Sequence, residues 1–126
     1  MILSLVASLA FVAGPQEQPP RDPLARRTCV AAGKDIERFV ANYREYITGY
    51  ERAGRLSYQF SADLQYELEL AARPRIESLF ELAHDPEATR TQCRELHDFH
   101  MDFLIQNITR KRLANFAAQR NRRLGR

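Results

Sequence analysis

Cys93, His97 and His100 fall within one short stretch, Cys-Arg-Glu-Leu-His-Asp-Phe-His, and with Cys29 they are the side chains best suited to chemistry. Two readings compete for them. One is a disulfide staple inside a helical core, the other a helix that presents metal or cofactor ligands. His97 and His100 are spaced i, i+3, so a helix sets them on neighbouring positions where they can ligate one ion, with Asp98 or Met101 joining from the flank. Cys93 lies about 10 Å along the axis from His100, too far for those two to share an ion. Glu81-Leu82-Ala83-His84 has the Glu-x-x-His spacing of di-iron bundles, but such centres need two copies and two further carboxylates on four helices, and this chain holds one copy. The expectation for His97 and His100 is therefore a polar edge on an apolar stripe. The ligand reading is the alternative.

The cysteines carry more weight as a pair. A helix starting near Pro23 places Cys29 two turns in, and one starting near Pro86 does the same for Cys93. If those helices run parallel, both thiols sit about 10 Å above the same end of the molecule. The spacing is neither Cys-x-x-Cys nor Cys-x-x-Cys-His, which argues against a thioredoxin-like motif and haem attachment. A Cys29–Cys93 disulfide is the expectation.

The elements that must position these residues read as helices. Cys29, Gly33, Ile36, Val40, Tyr43, Ile47, Tyr50 and Gly54 recur at alternating steps of four and three, the seam of a helix packed nearly parallel to its neighbours. Asp22 and Pro23 offer an N-cap and a first residue, and Gly54 a C-cap, so the first helix is expected over 23–54. The next stretch alternates: Tyr58, Phe60, Ala62, Leu64, Tyr66, Leu68 and Leu70 are separated in turn by Gln, Ser, Asp, Gln, Glu and Glu. Period two normally argues for a strand. No second strand-like segment offers a partner, and the Leu, Glu, Gln and Ala content favours helix. Wound as a helix, Phe60, Leu64, Leu68 and Ala71 form one stripe, and Tyr58, Ala62, Tyr66 and Leu70 form another that is free for a partner. Pro74 is expected to kink or split this second helix. Asp85 and Pro86 read as the start of a third helix over 86 to about 120, apolar nearly all round from Leu96 to Ile108. The fold class expected is all-α, an up-down-up three-helix bundle with long helices and a kinked second helix.

Length and charge set the frame. One domain suits 126 residues. The net charge of +3 conceals a division, because residues 56–102 carry ten acids against four bases, while residues 103–126 carry seven bases and no acid. Arg110, Lys111, Arg112, Arg120, Arg122 and Arg123, edged by Leu113 and Phe116, make a basic amphipathic end suited to an anionic surface.

Residues 1–14 are an uncharged apolar run that breaks into a Pro-rich linker over 15–22. That pattern reads as a signal peptide followed by a spacer, although no Lys or Arg opens it. At 14 residues the run is short of the roughly 20 that span a bilayer. Periplasmic or secreted localisation follows as an expectation, and with it disulfide chemistry. Export also turns the expected partner of the basic end away from nucleic acid and toward an anionic envelope surface.

No Gly-rich phosphate loop, nucleophile elbow or His-Glu-x-x-His is present. The function these residues point to is an exported non-catalytic helical protein, an interaction or structural module of the cell envelope, with no cofactor. It would meet a protein partner, or a second copy of itself, through Tyr58, Tyr66 and Leu70. The alternative is a small metal- or cofactor-binding helical protein that uses His97 and His100.

Overall fold

A computed structural model describes residues 19–123 and 125, and every regular element among them is helical. The expected signal peptide over 1–14 lies outside the described residues. Helix α1 is Ala25–Arg52, α2 is Tyr58–Ala83 and α3 is Arg90–Phe103. A π-helical segment, Leu104–Arg110, continues α3 and passes into α4, Lys111–Arg123.

The three long helical stretches pack as a bundle around Ile36, Ile47, Leu68, Leu79 and Leu104, all without solvent exposure. The four-three seam of α1 is the reason it faces inward: Cys29, Gly33, Ile36, Val40 and Ile47 are all buried. Gly33 has a specific duty. A Cβ built there would fall 2.9 Å from Cδ1 of Phe80, so the absent side chain lets the α2 ring lie against the α1 backbone.

Named contacts join the helices: Cys29 meets Cys93 and Asp35 meets His97 between α1 and α3, and Gly33 meets Phe80 and Arg44 meets Gln65 between α1 and α2.

Helix α1 ends in a glycine-dependent turn. Gly54 has φ +75°, its N–H donates to the Glu51 carbonyl, and the Arg55 N–H reaches back to the Tyr50 carbonyl. Those two bonds satisfy the last carbonyls of the helix in the Schellman manner. The Arg55 guanidinium then lies 5.7 Å from the Tyr50 ring centre. Ser57 caps α2 by accepting from the Phe60 N–H at 3.1 Å.

The ends proposed from proline differ from those observed. Asp22 does not cap α1, which begins at Ala25. Instead its Oδ1 accepts from the Leu24 N–H at 3.1 Å in a short Asx turn, and Oδ2 accepts from both the backbone N–H and Nε of Arg90 at 3.0 Å. The Arg21 N–H donates to the Pro86 carbonyl at 2.8 Å, which ties residue 21 to the connection before α3. Asp85 and Pro86 do not start the third helix either. Asp85 accepts from the Glu87 N–H within a turn, and α3 starts at Arg90 under a reciprocal cap of Thr89 and Gln92. Pro74 does not end α2, which runs as one helix from Tyr58 to Ala83.

The π-helical segment was not expected from the sequence, which reads as uninterrupted α-helix there. Its buried residues, Leu104 and Thr109, are five apart, the step that brings both to one side of a π-helix. Thr109 satisfies its hydroxyl on the Ile105 carbonyl at 2.7 Å.

Candidate interaction surface

Helix α2 has two apolar stripes, and the bundle covers one. Leu64 and Leu68 turn inward and are buried, with Phe60 and Ala71 packed beside them. The other stripe faces solvent: Tyr58 is 75% exposed, Tyr66 65% and Leu70 51%. Ala62, also exposed, completes steps of four along the helix, so the stripe winds slowly across one face. Carboxylates line it. Asp63 accepts from Gln59 at 2.9 Å, Glu69 pairs with Arg73 at 3.0 Å and Arg44 at 3.7 Å, and Glu77 and Glu81 are exposed.

Beside this face α1 and α2 enclose a shallow groove of about 420 Å³. Ala41 and Ala72 make room for it by their small size, and Val40, Ile76 and Phe80 complete an apolar floor. Glu37, Arg44, Glu69, Arg73 and Glu77 form its rim.

The disulfide is present. Cys29 and Cys93 are bonded, with Cα atoms 4.9 Å apart, and no free cysteine remains. Ala83 is buried against the pair, with Val30 and Leu82 partly buried beside it.

The two histidines are turned to different neighbours. His97 Nε2 lies 2.7 Å from Asp35 of α1, and Nδ1 lies 3.1 Å from Asp98. Burial opposes a charge on this ring, but hydrogen bonds to Asp98 and Asp35 and their negative charges outweigh it and raise the pKa. His100 Nε2 lies 2.8 Å from the hydroxyl of Ser78, which donates to the Arg75 carbonyl at 2.8 Å. Burial lowers the His100 pKa, and the Arg75 charge and His97 add to that. A Ser-His contact invites comparison with a nucleophile and its base. Here, however, Nδ1 of His100 is buried without a partner, so no acid orients the ring as such a pair requires.

Arg75 belongs to the same cluster. Its guanidinium lies 3.6 Å over the Phe103 ring and donates to the Ala71 carbonyl at 2.8 Å, and burial lowers its pKa. The stacking stands in for part of the lost hydration. Sequence reasoning passed over Arg75, Ser78 and Asp35 because their partners come from other helices. The aromatic series Phe39, Tyr43, Tyr46 and Tyr50 was visible as spacing, but its contacts were not: neighbouring rings lie 4.9–6.0 Å apart, and the Tyr46 and Tyr50 hydroxyls share a hydrogen bond of 2.9 Å.

His84, the other half of the Glu-x-x-His, uses Nδ1 on the Phe80 carbonyl at 2.8 Å and so serves the end of α2. Among the described residues no group of three or more His, Cys, Asp or Glu side chains could hold a metal ion, and no helix is long and apolar enough to cross a membrane. At the basic end Arg110, Lys111, Arg112 and Arg122 are exposed, and Arg112 pairs with Glu67 at 3.0 Å. The side chains of Arg120 and Arg123 lie outside the described residues. No family model, curated protein or solved structure matches the chain.

Proposed function

We propose that this chain is an exported, non-catalytic helical module of the cell envelope that binds a protein partner through the outward stripe of α2. The observation that carries the reading is the exposure of Tyr58, Tyr66 and Leu70 on one face, each more than half accessible. Large aromatic side chains gain most when a partner covers them, and charged neighbours keep such a face soluble until it does. The bundle presents this face by running up, down and up, with α2 bending at Pro74, where a backbone donor is missing. A Cys29–Cys93 disulfide and the apolar run over 1–14 both support a periplasmic or secreted location.

The test is photo-crosslinking in the cells that make the protein. A benzophenone side chain at Tyr66 is expected to capture a protein, and one at exposed Lys34 on α1 is not. Equal capture from both positions, or none from either, would overturn the reading.

A further inference from the structure

We infer that the partner is a second copy of this chain, and that the basic helix α4 of each copy lies on the outward face of α2 of the other. This rests on the reading of α2 as a binding face and names its occupant. Charge is the first argument. Helix α2 holds Asp63, Glu67, Glu69, Glu77 and Glu81 against Arg73 and Arg75, and Arg75 is drawn in over Phe103. The outward face is therefore acidic around its apolar stripe. Residues 103–126 carry seven bases and no acid, and while Leu113 of α4 packs against the core of its own bundle, Lys111 and Arg122 are exposed. An acid-rimmed face and a basic helix are complementary in charge.

The second argument is reach. Arg112 already pairs with Glu67 of its own chain, so the two charge series meet once within a single molecule. From that point they diverge. Arg75 lies over Phe103 and Ser78 meets His100, so higher numbers on α2 pair with lower numbers on the α3 side. Arg122, further along the same direction, is therefore carried away from Glu77 and Glu81, which stand about 15–21 Å along α2 from Glu67. Helix α4 continues the π-helical segment, and Leu113 near its start packs against the bundle core. Its own acidic face is behind it, and the same face on another copy is the one it can cover. Exchanged reciprocally, two such contacts close around a two-fold axis rather than growing into a fibre.

The test uses the full oxidised chain. Sedimentation velocity over a concentration series should show a dimer at low salt that dissociates as salt is raised, because exposed charges are screened beyond about 10 Å at 0.1 M. In a mixture of isotopically light and heavy protein, benzophenone at Tyr66 should crosslink to the 111–123 peptide of the other isotope. Replacing Arg120, Arg122 and Arg123 with Gln should weaken dimerisation at least tenfold without moving the thermal midpoint of the dilute monomer. A monomer at every concentration, a dimer indifferent to salt, or a crosslink from Tyr66 to α2 of the second copy would overturn the inference. Capture of a different protein by Tyr66 in cells, with a monomer in vitro, would also overturn it while leaving the binding-face reading of α2 standing.

Discussion

Asp22 and Arg90 are bonded across 68 residues of sequence by one carboxylate oxygen, which takes both the main-chain N–H and the Nε–H of the arginine. The carboxylate that precedes the first helix thus caps the start of the third. A negative group at a helix N-terminus is favourable on its own, and this one also carries a charge-assisted side-chain bond. Its Oδ1 meanwhile orders the approach to α1 through Leu24.

Replacing Asp22 with Ala should therefore loosen two segments at once. Amide exchange is expected to accelerate at Leu24 and Arg90 while the amides of Leu68 and Leu79 keep their protection. The backbone N–H of Arg90 holds the Asp22 carboxyl below its ordinary 3.8. A depressed carboxyl pKa means that its stabilisation is present above the unfolded value and fades as pH falls through the folded one. The difference between wild type and the Ala variant should shrink below about pH 4.

The Cys29–Cys93 bond closes a long loop, with a sequence separation of 64. Substituting both cysteines with Ser should lower unfolding free energy by up to about 4 kcal/mol in the chain-entropy account. Urea denaturation of the variant, compared with oxidised and reduced wild type, measures this. The reduced protein should fall with the variant.

His97 and His100 should pull stability in opposite directions with pH. For His97 the folded pKa is raised, so its contribution is complete below about 6.5 and is lost as pH rises through the folded value. For His100 the folded pKa is lowered, so its contribution is complete above about 6.5 and is lost as pH falls through the folded value. Thermal midpoints between pH 4 and 9 should show these slopes separately. His97→Gln should leave a protein whose stability rises with pH in the acid range, and His100→Gln one whose stability falls with pH above neutrality.

Leu68 and Leu70 are two residues apart on one helix and should behave differently. Leu68 is wholly buried and Leu70 half exposed. Leu68→Ala should cost about 2–5 kcal/mol. Leu70→Ser should stay within about 0.5 kcal/mol. Chemical denaturation of the pair tests which stripe of α2 the bundle uses.

Much of this arrangement was legible in the residues. The alternating four-three steps of α1 identify its inward seam, and the matching heights of Cys29 and Cys93 identify their bond. Composition also chose correctly against alternation for Tyr58 to Leu70, since an isolated strand has nowhere to place its hydrogen bonds. Other features depend on partners that sequence distance hides. Asp22 looked like a cap for the helix beside it, and the group it serves lies on α3. Thr89 was overlooked because Asp85-Pro86 carries the stronger local signal, although that signal is spent inside a turn. The π-helical segment left no mark because apolar residues around Leu104 lie nearly all round the helix, so a wider turn changes little in the pattern. His97 could be placed on a helix edge, but its tie to Asp35 needed the neighbouring helix.

The disulfide encloses all of α2 and the turn from Ala53 to Ser57 within a covalent ring. A protease that cuts the exposed turn would open that ring without freeing a fragment. The nicked protein would keep its mass, apart from one added water, and would separate into two pieces only after reduction. Damage at an exposed connection of the bundle is in this way contained by a bond at its far end.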